Sequence, residues 1–246
     1  MRARVLALVV TVAAIGPVSA CGVAAATSAP ATVPRPPATS SVSAVASTAT
    51  LPARPPGLGP QTLSQVPADA GQVVLVAGAG INSPDASVVL YQRTAAGWQA
   101  GATWPAHNAL DGWSADHRSG DLRSPIGVFT LTDAGGLLPN PGTTLPYDQS
   151  HGFTIGGRGF DNEPLAGSFD YVLAINYNRN AGVSPLDWTR PLGPSRGGGI
   201  WFHVDHGGPT HGCVSLPEAD MITLLHTLDP AQHPVVVMGD AASLAN

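Results

Sequence analysis

The sequence predicts a mainly β domain, a sandwich or barrel, with one helix directly after its second cysteine, Cys213. Two observations carry this. Short β-branched runs recur between turn residues, and 29 Gly and 24 Pro punctuate the chain of 246 residues. Aromatic residues make up only 6% and charged residues 11%, a composition of turn-dense β structure and not of a helical bundle. Short strands divided by Gly and Pro bury their apolar faces by packing sheets together or by curling one sheet on itself.

Each element has its own signal. Gln72-Val73-Val74-Leu75-Val76-Ala77 is a β-branched run that stops at Gly78. Residues 87–93 and 98–104 form a hairpin across Ala95-Ala96-Gly97. Further strands are expected over residues 127–131, 171–177, 200–204 and 235–238. The helix is signalled by Ser215-Leu216-Pro217-Glu218, with Ser as N-cap and Glu three residues later in a capping box. Met221, Ile222, Leu224, Leu225 and Leu228 then recur at helical spacing as a core-facing stripe, and Asp229-Pro230 ends it. Gly78-Ala79-Gly80 lacks the helix that a nucleotide-binding loop needs, and Gly156-Gly157-Arg158-Gly159 reads as a turn.

The chain divides into three parts: residues 1–20, 21–60 and 61–246. Arg2 and Arg4 precede an apolar stretch over residues 5–15, too short for the roughly 20 residues of a membrane span but suited to an export signal. Val18-Ser19-Ala20-Cys21 resembles a bacterial lipobox, so Cys21 is the expected lipidation site and membrane anchor; cleavage after Ala20 to release a secreted protein is the alternative. Both export the protein, the first leaving it in the cell envelope at the outer face of the cytoplasmic membrane. Residues 21–60 are rich in Ala, Thr, Ser, Val and Pro without an aromatic residue. Such a segment cannot offset its own ordering entropy and reads as a tether.

The net charge is −5, with 11 Lys+Arg against 16 Asp+Glu. Arg2, Arg4, Arg35 and Arg54 precede residue 61 and no acid does, so the domain carries all 16 acids. A phosphate-binding surface requires the opposite sign, which excludes nucleic acid as a partner.

With Cys21 lipidated or removed, Cys213 has no disulfide partner, and its neighbours decide its use. It lies two residues before the expected N-cap. There the helix terminus is predicted to stabilise a thiolate and lower the Cys pKa, and the N–H groups of Gly212, Cys213 and Val214 to hold an oxyanion. Strand alternation puts Trp201 and His203 on one face and Ile200, Phe202 and Val204 on the other. An imidazole from a strand and a thiol from a following turn can then meet as base and nucleophile. The rival chemistry is a zinc site built from His203, Asp205, His206, His211 and Cys213; His206 is out of register for it. His107, His117, His151, His226 and His233 show no convergent spacing and read as structural or surface residues, and Asp121 and Arg123 as turn residues. Trp188 and Trp201 read equally as groove or core.

At Thr210-His211-Gly212-Cys213-Val214 the sequence resembles the L,D-transpeptidases with a YkuD-type catalytic domain, whose signature is Ser/Thr-His-Gly-Cys-Ile/Val after an upstream His. Gly120-Asp121-Leu122-Arg123-Ser124-Pro125-Ile126-Gly127-Val128-Phe129 is similar to the family's Gly-Asp-x-x-Thr-Pro-x-Gly-x-Phe segment. The resemblance spans roughly residues 70–240 and implies a YkuD-type β-sandwich or barrel. It implies that Cys213 attacks a peptidoglycan tetrapeptide stem to form a thioester, which the side-chain amine of a second stem resolves into a cross-link between third residues. It implies His203 as general base and His211 as its support, Gly212 and Val214 as backbone donors, and Trp201, Thr210 and Ser215 as substrate contacts. No metal and no cofactor is implied, and carbapenems are expected to acylate Cys213. The family's Arg after Cys-Ile/Val is Ser215 here, and His203 precedes Cys213 by ten residues, closer than in many members. An L,D-carboxypeptidase using the same site, and an inactive wall-binding domain, are the alternative outcomes.

Overall fold

The computed structural model describes residues 50–246; the expected signal segment, Cys21 and most of the expected tether lie outside the described residues. In chain order the elements are α1 (Pro60–Leu63), β1 (Gln72–Gly78), β2 (Asp85–Thr94), β3 (Gly97–His107), β4 (Trp113–Ser114), β5 (Ser124–Pro125), β6 (Gly127–Thr130), β7 (Ala134–Gly136), β8 (Tyr147–Gln149) and β9 (Val172–Ala174). They continue with β10 (Trp201–Val204), β11 (Val214–Leu216), α2 (Glu218–Thr227), β12 (Val235–Asp240) and α3 (Ala241–Leu244). Ten strands form one curled sheet in the order β6-β12-β1-β2-β3-β11-β10-β9-β7-β8, and β4 pairs with β5 apart from it. The mainly β expectation holds, with the helix α2 after Cys213.

β1 is the spine. Val74 and Val76 enter one core while Val73 and Leu75 enter another. A strand covered on both faces is apolar at every position, which is why this run is legible in sequence. It pairs parallel with β12 and antiparallel with β2. β2 and β3 form the expected hairpin, with a register shift between Val89 and Tyr91 of the kind that increases local twist.

The larger core joins the sheet to α2. Met221, Leu224, Leu225 and Leu228 pack with Leu173, Phe202, Val214 and Leu216, and burying each such side chain contributes about 1.5–3 kcal/mol. The smaller core lies on the other face of β1 and holds Leu58, Ala70, Tyr91, Trp98 and Leu244. Its composition moves the domain boundary expected at residue 61. Leu58 is buried, the Trp98 N–H donates to the Pro52 carbonyl at 2.8 Å, and the Gly59 N–H to that of Leu244 at 2.9 Å. Residues from about 51 onward therefore belong to the domain and not to a tether.

Two further expectations change. The strand expected over 171–177 is only β9, because Tyr177 N–H turns back to the Ile175 carbonyl at 2.7 Å, a three-residue turn. Asn176 meanwhile ties its side chain to Thr130 and Thr132. The helix starts at Glu218, with Pro217 and not Ser215 as N-cap and no side-chain cap. Ser215 is instead the middle residue of β11, paired with His203 and His107; strand pairing overrides the capping signal. Glu218 and Asp220 still sit in the first turn, where negative charge is favoured. Among the described residues no helix is long and apolar enough to cross a membrane. Leu224→Ala, at a fully buried position on α2, is expected to lower the unfolding free energy by about 2–5 kcal/mol, measured by urea denaturation.

Candidate active site

β10 and β11 lie side by side and parallel, with Phe202 opposite Val214 and His203 opposite Ser215. Parallel neighbours usually need a crossover of a dozen or more residues; here only residues 205–213 intervene. That loop is fastened at several points. Thr210 N–H donates to the Asn108 carbonyl at 2.9 Å, and Leu110 N–H to the Thr210 carbonyl at 3.0 Å. The buried Thr210 hydroxyl donates to the Cys213 carbonyl at 2.7 Å and accepts from Gly212 N–H at 3.2 Å. Ser124, from the upstream Gly-Asp segment, donates its hydroxyl to the same carbonyl at 3.4 Å and accepts from Ala109 N–H at 3.1 Å. The two motif segments of the sequence thus meet at the backbone of Cys213.

Cys213 is a free, half-buried thiol. Its sulfur lies 3.5 Å from the Gly199 carbonyl, to which the S–H donates. Two cavities meet at it. One, of about 100 Å³, is lined by Phe169, His203, His206, Thr210, His211 and Cys213 among others. The other, of about 300 Å³, is lined by His117, Gly197, Gly198, Gly199, Gly212 and Cys213 among others. Gly198 permits that second wall. Its φ is 142°, and a Cβ there would lie 2.3 Å from Arg190 Nε.

His203 is 3% exposed. Its Nδ1 is 2.8 Å from the Val204 carbonyl, which can only accept, so Nδ1 carries the proton and Nε2 keeps its lone pair. Burial pushes its pKa down to about 4, against the opposing pull of that carbonyl. Burial pushes the Cys213 thiol up to about 11, against the Trp201 N–H. Both groups are neutral near pH 7. The expected thiolate at a helix terminus is overturned. β11 and Pro217 separate Cys213 from α2, so the helix dipole is too far away and desolvation dominates.

The remaining expected residues divide. His211 lines both cavities and rests its exposed ring on Phe160, with centroids 4.6 Å apart. Gly212 N–H donates to the Thr210 hydroxyl, and Val214 is buried and paired with Phe202 in the ladder. Thr210 holds the loop through its hydroxyl. Trp201 is packed between Phe153 and Phe169 and is core, not groove. Ser215 is fully buried and donates to Asp205 Oδ1 at 2.6 Å, an oxygen that His107 Nδ1 also reaches at 2.8 Å; it cannot touch substrate. Asp205 is thereby turned away from the zinc arrangement considered from sequence. No group of three His, Cys, Asp or Glu among the described residues is placed to hold a metal ion.

Several residues of the cavities were not read from sequence as part of the thiol site, His206 having entered only in the zinc alternative. His117 lies in the wall of the larger cavity, 2.9 Å from Asp121 Oδ1, and its pKa is lowered by burial, which outweighs Asp121. Asp121 also accepts from Arg118 and Arg123 N–H groups, the turn role expected of it. His206 and Phe169 line the smaller cavity. Only the Gly197-Gly198-Gly199 run, directly before β10, offered a hint of close backbone approach. Trp188 is 79% exposed, with Arg190 over its ring at 5.0 Å.

The family model for the L,D-transpeptidase catalytic domain, YkuD, matches residues 82–237. The chain belongs to the YkuD L,D-transpeptidase family. No curated protein matches it. Among solved structures it is similar to Bdellovibrio bacteriovorus Bd1075, at 14% identity and a TM-score of 0.38, covering 70% of this chain and 48% of that one. It is likewise similar to the helical cell shape determining protein Pgp2 from Campylobacter jejuni, at 15% identity and a TM-score of 0.38, covering 69% and 47%. The chain spans about half the length of those two proteins.

Two outcomes follow from the displaced pKa values of Cys213 and His203. Alkylation of Cys213 by iodoacetamide is expected to rise with an inflection above the free-thiol value of about 8.5; an inflection below it contradicts the desolvated thiol. His203 in the unfolded chain takes a proton near its ordinary 6.5, but in the fold only near 4. The unfolded state binds more protons between those values, so stability present above pH 6.5 is lost as pH falls towards 4. Urea titrations at pH 7 and 4.5 are expected to show a smaller acid loss in His203→Gln than in the wild type.

Proposed function

We propose that this chain is an exported, lipid-anchored L,D-transpeptidase acting on peptidoglycan stem peptides through Cys213. The observation that carries the reading is the shared cavity: Cys213, His203 and His211 line one space, and the hydrogen bond of His203 Nδ1 to Val204 leaves Nε2 as its free base. Family membership supplies the substrate class. The basic n-region and the lipobox-like Val18-Ser19-Ala20-Cys21 support export and anchoring.

In this reading the sulfur attacks the carbonyl carbon that precedes the terminal D-Ala of a tetrapeptide stem. Because thiol and imidazole both start neutral, the S–H proton moves to His203 Nε2 as the C–S bond forms. His203 then hands it to the departing amine, and D-Ala leaves as the C–N bond breaks. The thioester is resolved by the side-chain amine of a second stem. The alkoxide that forms on the way requires a backbone donor, and this reading assigns that part to the Cys213 N–H.

Mass spectrometry of muropeptides after incubation with tetrapeptide stems tests this. The wild type is expected to give a cross-linked dimer, and Cys213→Ala none. Tripeptide alone makes water the acceptor and the enzyme a carboxypeptidase, and no product with no carbapenem adduct makes it a binding domain. His203→Ala is expected to slow carbapenem acylation by about 10²–10⁴-fold, the usual contribution of a general base.

A further inference from the structure

The smaller cavity holds a second oriented imidazole for which the family signature has no part. His206 lines it beside Cys213, and its side chain is only 6% exposed. Its Nδ1 is 2.9 Å from Glu163 Oε1. The ring lies parallel to that of His203, with centroids 5.7 Å apart and 13° between planes. Glu163 is itself fixed. Its Oε2 accepts from Asp161 N–H at 2.8 Å, and its own backbone N–H, then that of Asp161 and His206, hold its carboxyl below the usual range. Room for this carboxylate is built into the chain, since a Cβ at Gly159 would fall 1.8 Å, and one at Gly208 2.6 Å, from Glu163 Oε1.

The two imidazoles differ in what orients them. His203 is held by a neutral carbonyl, whereas His206 is held by an ionised carboxylate. A carboxylate on Nδ1 fixes the tautomer with Nε2 as acceptor and stabilises the imidazolium that forms when Nε2 takes a proton. It also places negative charge beside the cavity, which attracts an ammonium.

We propose that Glu163 and His206 form a second acid–base couple that receives and activates the primary-amine acceptor, while His203 serves acylation. The inference rests on the reading of Cys213 as the acylated nucleophile. The acceptor's ammonium loses one proton to solvent. As its nitrogen attacks the thioester carbon, the C–N bond forms and the next N–H proton passes to His206 Nε2. The C–S bond breaks, its electron pair returns to Sγ, and the proton held by His206 ends on the sulfur, restoring the thiol. One amide and one thiol replace one thioester and one amine.

The test separates the two half-reactions. His206→Asn keeps an N–H near the Nδ1 position for Glu163 but removes Nε2. Its acylation by a carbapenem, followed by intact mass, is expected within about twofold of wild type, while cross-linked dimer from tetrapeptide stems falls about 10²-fold, the scale of a lost general base. Glu163→Gln is expected to reduce dimer formation in the same direction with acylation preserved. Added imidazole is expected to restore part of the dimer yield of His206→Ala, which a packing role would not allow. Equal slowing of acylation and transfer, or unchanged transfer in His206→Asn, overturns the couple while leaving Cys213 as nucleophile. A wild type that forms no adduct and no dimer overturns the nucleophile and the couple together.

Discussion

The parallel pairing of β10 with β11 is the constraint on which the site depends. It sets His203 opposite Ser215 and brings Cys213, one residue before β11, beside the backbone of Trp201 and Gly199. The connection is too short for a helix, so the loop over residues 205–213 must be held from outside. Asn108 and Leu110 pair with Thr210, and Ser124 reaches the Cys213 carbonyl from the Gly-Asp segment. A site built on strand ends and clamped loops keeps its geometry better than one on a free loop.

Burial sets the electrical state of that site. A thiol at a helix start next to a solvated imidazole would rest as an ion pair. Here the same desolvation raises the thiol and lowers the imidazole, so the charge-separated state is costly before substrate arrives. In the proposed reaction the proton is therefore transferred during attack, and the charge that develops passes to the donor's carbonyl oxygen and to His203. His203 keeps a fixed tautomer through the Val204 carbonyl, a partner that orients without adding charge.

The position after Cys-Val shows how one residue type redirects its surroundings. An Arg there would need a carboxylate or open water for its charge. Ser215 is short, lies fully buried in β11, and closes a network in which Asp205 Oδ1 receives both Ser215 and His107. The network joins β3 and β11 and anchors the start of the same loop that ends at Cys213. Asp205, a member of the zinc arrangement considered from sequence, is used in this way to orient Ser215 and His107.

The sequence by itself determined the mainly β class, the β1 spine and the hairpin of β2 and β3, and it singled out Cys213, His203 and His211, which line one cavity, because burial on both faces, period-two alternation and a contiguous motif are all local. It did not reveal β7, β8 or β11, each only three residues long, since a strand of that length is made by its neighbour and not by its own pattern. It misplaced the helix start, because Ser215 satisfies a capping pattern as readily as a strand position and only its pairing with His203 decides between them. His117, Glu163, the Gly197–Gly199 wall and the pairing of His206 with Glu163 were left to the tertiary structure. Residues up to 96 positions from the cysteine reach it through strand order, and no spacing along the chain encodes which of the histidines the curled sheet brings to one cavity.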